Sequence, residues 1–290
     1  MAEHIPFLLL SIGLGTGRSI ISKKVAQDAS DNKKFFFSQS VMFIVSGLVI
    51  ALLENIDLAG MDPVIRIYAV VYGIMLIASQ WMYTFALRYG RASICSMIYS
   101  FGFIFPTMLG VMLWDEKLTL YKTVGLVLVF AVIVLSAKVK AEGPKKGGKF
   151  YLAALLVSML ASGGLGVLQQ LQQRSGFADQ RGGFLLIAFC IASVVSLVTW
   201  ALCPGKTETR GLRCGAWSVG TGLCFGSVNI LNTMLAGRME STVFFPVTNI
   251  GCVLAATLCS ILFFKEKMTP RVIMVLVLGI CAVLLLSAFG

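Results

Sequence analysis

Charged side chains are scarce in this sequence. Asp, Glu, Lys and Arg make up 13% of its 290 residues, where a soluble domain carries about 25%. With 58% of residues hydrophobic, a soluble globule would lack the polar side chains its surface needs. Histidine is scarcer still: His4 is the only one, which excludes a histidine metal cluster. The eight cysteines include no C-x-x-C pair and mostly lie inside apolar runs, so they read as small packing residues rather than a disulfide frame or zinc site. All 13 acids fall near the ends of apolar runs or between them. No carboxylate therefore stands at membrane depth to couple transport to protons, Glu240 in a tight turn being the nearest to an exception. No cofactor is called for.

What is present is a succession of apolar runs. Broken at its charge and Gly/Pro clusters, the chain gives ten segments: 5–22, 35–53, 65–87, 93–114, 119–137, 150–170, 183–203, 214–236, 241–264 and 270–289. Each is long enough for a helix through the hydrocarbon core, and lipid forbids the unpaired edges of open strands. The expected fold class is an all-α integral membrane protein of ten transmembrane helices. Thr269-Pro270 supplies a helix start, with a capping Thr before a Pro at the first helical position. Glu3 and His4, in place of lysines, and the lack of an A-x-A site make the first segment a crossing rather than a signal peptide.

Alternate connections differ in charge. One side collects 17 Lys and Arg, among them Lys23, Lys24, Lys33, Lys34 and the run from Lys138 to Lys149. The other has six: Arg66, Lys117, Lys122, Arg174, Arg181 and Arg238. The positive-inside rule makes the first side cytoplasmic and both termini extracytoplasmic in a multi-pass cell-membrane protein. The net charge of +11 is thus a matter of topology, and nucleic acid is not among the expected partners.

The two halves repeat. Gly13-Leu14-Gly15 matches Gly164-Leu165-Gly166, and the same offset sets Arg18 against Gln169. Glu116-Lys117-Leu118-Thr119 matches Glu266-Lys267-Met268-Thr269, and Gly90-Arg91 answers Gly237-Arg238. Five crossings per half is an odd number, so residues 1–140 and 150–290 should form two inverted five-helix repeats, joined by a basic Gly/Lys linker over 141–149. Such halves meet around a site near the midplane that opens to either side in turn.

Several side chains could line that site. Arg18 either binds an anionic group in a wet cavity or snorkels to the cytoplasmic interface. Gln169 could face a polar solute, whereas Gln172 and Gln173 suit a helix end bathed in water. Asn229 and Asn232, with Thr248 and Asn249, mark helix contacts or a cavity wall. Tyr72, Gln80, Trp81, Tyr83 and Tyr99 could supply further walls or sit at the interface. Pro106 and Pro246 interrupt two segments as hinges or static kinks, each freeing a carbonyl four residues earlier. Gly13-x-Gly15-x-Gly17 and Gly222-x-x-x-Gly226 read as close-packing sites, not as a phosphate loop. Glu116 and Glu266 could be gating ion pairs or, more simply, helix-end punctuation at the water interface.

Ala86-Leu87-Arg88-Tyr89-Gly90-Arg91-Ala92-Ser93, the Gly-rich first and sixth segments and the two Glu-Lys-x-Thr turns together resemble the EamA-like branch of the drug/metabolite transporter superfamily. The resemblance covers essentially the whole chain. It implies a carrier of small metabolites, by export or facilitated diffusion, with a cavity lined by segments 1, 3, 4, 6, 8 and 9. It also implies cytoplasmic termini, opposite to the charge count. The expected function is alternating-access transport of a small polar or amphipathic metabolite, amino-acid-like or amine-like, and not enzyme catalysis. A membrane-embedded enzyme on a lipid or polyprenyl phosphate, or a non-transporting scaffold, are the rivals. The bilayer is the standing partner, and a homodimer is open to the chain.

Overall fold

A computed structural model describes residues 2–28, 31–89, 95, 98–137, 149–204, 210–264 and 270–288. Among these residues every regular element is a helix. We number the main helices α1 (Ile5–Asp28), α2 (Asn32–Leu53), α3 (Pro63–Tyr89), α4 (Ile104–Leu113), α5 (Leu120–Ala137), α6 (Lys149–Arg174), α7 (Arg181–Leu202), α8 (Arg210–Arg238), α9 (Ser241–Phe264) and α10 (Pro270–Ala288). Each sits on one of the ten expected segments. Three outrun their apolar cores: α1 continues to Asp28, α6 to Arg174, and α8 starts at Arg210. Polar residues continue a helix once it leaves hydrocarbon, so hydropathy marks the span and not the helix end.

α1, α2, α3, α6, α7 and α8 contain stretches long and apolar enough to cross a membrane, whereas the apolar stretches described in α4, α5, α9 and α10 are shorter. α4 is preceded by helical turn from Ile98 and a 3-10 stretch at Phe101–Phe103. Pro106 follows that stretch and has Gly102 four residues before it, which fits a locally tightened turn where a helical amide is missing. Pro246 lies inside α9, which continues helical past it.

Outward faces are apolar, as Ile67, Val70 and Ile74 on α3 and Val194, Val198 and Leu202 on α7 illustrate. Inside, one cluster gathers Phe43, Tyr72, Phe184, Phe189 and Phe225 where α2, α3, α7 and α8 meet. A second joins Val129, Val132 and Ile133 of α5 to Phe244 of α9 and Ala282 and Leu286 of α10. α8 lies directly on α2: a Cβ on Gly222 would stand 2.7 Å from the Met42 carbonyl oxygen, and one on Gly226 2.8 Å from that of Ser46. The expected packing role therefore holds there. It does not hold at Gly13, around whose Cβ position nothing lies within 4 Å.

The main packing partners are α1 with α8, α3 with α6, α2 with α8, α3 with α7, α2 with α7 and α5 with α10. α1 also touches α9, and α6 touches α4. One end of the bundle gathers several chain reversals. Arg181 at the start of α7 grips Glu54 just after α2, with Nη2 2.7 Å from Oε1, and Gln180 Oε1 accepts the Asp62 amide before α3. Glu116, between α4 and α5, meets the end of α6 and the start of α9 at that same end.

Candidate functional site

Arg18 turns inward. Its Nη2 donates to Gln80 Oε1 of α3 at 2.5 Å, and its guanidinium lies 4.0 Å above the Phe225 ring of α8. Tyr99 lies within its electrostatic reach. Both Arg18 and Gln80 belong to stretches apolar enough to cross a membrane, so their contact is made within the span. Gln80 is buried and its Nε2 points to Tyr99 at 3.5 Å; Tyr99 shares a 3.1 Å hydrogen bond with Ser79 and packs its ring 4.6 Å from that of Tyr83. Four of the expected residues thus assemble: Arg18, Gln80, Tyr83 and Tyr99.

A narrow polar cavity adjoins them. Ser22 and Val25 of α1, Ser38 and Gln39 of α2, Gln80, Tyr83 and Thr84 of α3, and Ser218 and Thr221 of α8 line it. Its volume is about 10 Å³, room for roughly one water molecule. A larger solute would enter only as the helices part. Gln39 is 3% exposed and its Oε1 has no hydrogen-bond partner among the described residues. Sequence reasoning missed Gln39; the signal was a Gln a few residues inside an apolar run that reads as an end because Lys33 and Lys34 precede it.

A neutral chain of hydrogen bonds crosses the bundle beside this cluster. Gln169 of α6 donates from Nε2 to the Tyr72 hydroxyl at 2.9 Å; Tyr72 donates to Asn229 Oδ1 at 2.6 Å; Asn229 Nδ2 donates to the Phe225 carbonyl at 2.8 Å. All three side chains are buried, and each partner is satisfied internally, as low dielectric demands. Phe225 is the residue the two groups share, its ring under Arg18 and its carbonyl bound to Asn229.

The remaining expected residues lie apart from the Arg18 cluster. Asn232 Oδ1 accepts from Ser11 Oγ at 2.5 Å, joining α8 to α1. Asn249 and Thr248 return their donors to carbonyls of their own helix, Phe245 at 2.9 Å and Phe244 at 2.8 Å. Trp81 packs against Phe36 at 4.9 Å, with its indole N–H buried and unpartnered among the described residues. Gln172 corrects the expectation of a water-bathed helix end: it is fully buried, its Nε2 donating to the Phe177 carbonyl at 2.9 Å, because the chain folds back over α6 there.

Glu116 is likewise more than punctuation. It is buried, accepts the backbone N–H groups of Ser241 (3.0 Å) and Thr242 (2.9 Å), and pairs with Arg174 at 2.8 Å. It thereby caps α9 with a carboxylate from elsewhere in the chain, where two amides and the helix dipole favour negative charge. Arg174 also stacks 4.6 Å over Trp114, and Lys122 pairs with Glu240 beside it. Burial alone would raise the Glu116 carboxyl, but the two amides and Arg174 outweigh it and hold it below the usual carboxylate range. Its sequence counterpart Glu266, with Arg91 and the 141–148 linker, lies outside the described residues.

Comparison with known proteins adds two findings. A model of the EamA-like transporter family matches residues 5–138. The chain also superposes on a protein of known crystal structure with a TM-score of 0.69, covering 96% of both chains at 12% identity, one of 29 matching chains of solved structures. At that identity the likeness concerns the fold. No curated protein matches significantly.

Proposed function

Residues 5–138 belong to the EamA-like transporter family of the drug/metabolite transporter superfamily, and from that premise we propose that the protein carries a small polar metabolite across the membrane by alternating access. The observation that carries the reading is the Arg18–Gln80–Tyr99 cluster: a charged group held inside membrane-crossing helices, beside a cavity. The reading assigns substrate contacts to Arg18, Gln80, Tyr83 and Tyr99, with Gln39 added. Gln169 and Asn229 support Phe225 from behind, and Asn232, Asn249 and Trp81 take outer positions.

Two inverted five-helix repeats, 1–140 and 150–290, are part of the proposal. The Gly-Leu-Gly and Glu-Lys-x-Thr sequence matches support them. So does the pairing of helices: renumbering each helix by five exchanges α1–α8 with α6–α3 and α1–α9 with α6–α4, and maps α2–α7 and α5–α10 onto themselves. A pseudo-two-fold axis in the membrane plane produces that pattern. Glu116 and Arg174, one from each half, then act as a latch at the Glu54 end. When the halves rock, that latch opens. Pro106 and Pro246 serve as the places where α4 and α9 flex. By the charge count the Glu54 end and both termini face outward, so the cavity lies on the cytoplasmic side of the latch.

Uptake and efflux in proteoliposomes against a panel of amino acids, organic acids, amines and sugars tests the function. Saturable flux of one class, lost in Arg18→Gln, is the expected result; no flux of any solute by folded protein overturns the reading. A reporter on the C-terminus that reads cytoplasmic overturns the orientation alone.

A further inference from the structure

We propose that a groove between α4 and α5 holds one acyl chain of a glycerophospholipid from the leaflet at the Glu54 end, with the lipid's phosphate at Lys117. The proposal holds whatever solute the protein moves. α4 packs on α6 and α9, and α5 packs on α10 and α9. Between α4 and α5 lies a cavity of about 370 Å³, far larger than the polar one near Arg18. Phe103, Thr107, Met108 and Met112 wall it on the α4 side, and Val127 and Phe130 on the α5 side. Thr107 is the polar member, and its hydroxyl already donates to the Phe103 carbonyl at 2.8 Å. The wall therefore gives a polar solute no donor to hold. Met108, Met112 and Val127 are more than half exposed, so the groove opens sideways to the bilayer.

Dimensions select the occupant. α4 has 10 residues and so runs for about 15 Å. That is half of a hydrocarbon core about 30 Å thick, the depth one leaflet's chain reaches. Spread over that length, the cavity has a mean cross-section of about 25 Å². One methylene chain fits it; a helix of a second copy, about 10 Å across, does not. The stacked rings of Phe101 and Phe130, 4.7 Å apart, stand at the inner end. Leu118 lines the outer end, and Lys117 before it is exposed, a positive charge where the phosphate of that lipid emerges. Lipid tails are as apolar as the walls, so the gain lies in packing. An empty groove forfeits dispersion contacts along both walls. Collapse of α4 onto α5 would fill it, but would draw Trp114 and Glu116, which follow α4, away from Arg174. The lipid is thus a wedge between Pro106 and the latch.

The test uses the full chain in phosphatidylcholine vesicles doped with phosphatidylglycerol that carries a photoactivatable diazirine near the end of one acyl chain. A diacylglycerol with the same chains is the probe without a phosphate. After irradiation, peptide mapping should place phospholipid adducts on Phe103, Thr107 and Phe130 at least tenfold more often than on Ile74. Ile74 is an exposed residue of α3 about as far into the bilayer from the Glu54 end, and it reports ordinary bulk lipid. Val127→Trp, which fills the groove, should cut the groove adducts at least tenfold and leave those on Ile74 unchanged. Lys117→Gln should bring phospholipid labelling down to the diacylglycerol level. Equal labelling of the groove and Ile74 overturns the proposal, as do groove adducts undiminished in Val127→Trp or a crosslink there to a second copy of the chain. A Lys117→Gln protein that still prefers the phospholipid overturns the placement of the phosphate. Should Val127→Trp not fold, Met108→Trp fills the groove from the opposite wall, and the groove-to-Ile74 ratio in the wild type decides by itself.

Discussion

α1 and α6 carry the matching Gly-Leu-Gly segments and are packed differently around them. In α1, nothing lies within 4 Å of where a Gly13 Cβ would be, and a Gly17 Cβ would meet only Cys224 Sγ at 3.8 Å. In α6, a Cβ on Gly163 would stand 2.8 Å from the Gly102 carbonyl oxygen, one on Gly166 2.9 Å from Pro106 Cγ, and one on Gly164 would collide with Met75 Sδ. The polar residues at the matched position differ in the same sense. Arg18 is charged and has no counter-ion among the described residues, while Gln169 is neutral and ends a satisfied chain through Tyr72 to Asn229. A helix whose glycines meet backbone and whose hydrogen bonds are closed holds its neighbours in place; α1 is tight at Gly15, where a Cβ would stand 3.0 Å from Cys252 Sγ, but open at Gly13, and on the proposed reading its inward charge takes a ligand. On the proposed reading, the matched segments serve as scaffold in one half and as binding arm in the other.

The sharpest way to break this contrast is steric. Gly166→Leu should abolish folded protein, because overpacking a site closed on two sides costs about 1–3 kcal/mol or more, while Gly13→Leu should leave thermal stability near the wild-type value. Size-exclusion and thermal unfolding in detergent compare them directly, and equal behaviour of the pair would erase the distinction. Next comes a crossover of polar substitutions. Gln169→Leu should lower stability by about 1–3 kcal/mol by leaving the Tyr72 network short of a partner, with flux per folded molecule retained. Arg18→Gln should do the reverse, cutting flux at least tenfold because hydrogen bonds from a charged group to solute are worth about 1.5–3 kcal/mol, while relief of an unpaired charge within the span offsets the lost Gln80 contact and leaves stability unchanged or raised.

Smaller effects are expected at the latch. Glu116→Ala removes the acceptor of two helix-start amides and the partner of Arg174, and should cost about 1–2 kcal/mol, the range for losing a helix cap. The pH dependence follows from the depressed Glu116 carboxyl. A carboxyl lowered on folding contributes stability above its unfolded value, about 4.3, and loses it as pH falls through the lower folded value. The melting temperature should therefore drop from pH 5 to pH 3 by more in the wild type than in Glu116→Gln. A pH profile identical in the two proteins would show the carboxylate to be idle. Smallest is Gln39→Leu, which should leave stability within experimental scatter and change only solute selectivity.

Much of the molecule was legible from the residues in order. The ten apolar runs each became a helix, because transfer of a span from water to lipid depends on its own composition. Glycine pairs such as Gly222 and Gly226 were legible as contact points for the same local reason. Orientation around an axis was not. α1 mixes Gly, Ser, Thr and Arg with its apolar residues on every side, so no face declares itself, and Arg18 could have snorkelled. Glu116 looked paired to nothing beyond its neighbour Lys117, yet its partners are Arg174 and the amides of Ser241 and Thr242, far along the chain. Gln172 seemed a wet helix end and is sealed by the Phe177 carbonyl of the returning loop.

Composition alone determined the solvent this protein lives in and where its helices run, since hydropathy is a property each segment carries by itself. Only the tertiary structure decided which polar groups face one another. In a bilayer the free energy of an amide, carboxylate or guanidinium is set by the partner across from it, and that partner sits on another helix whose rotation no single segment encodes.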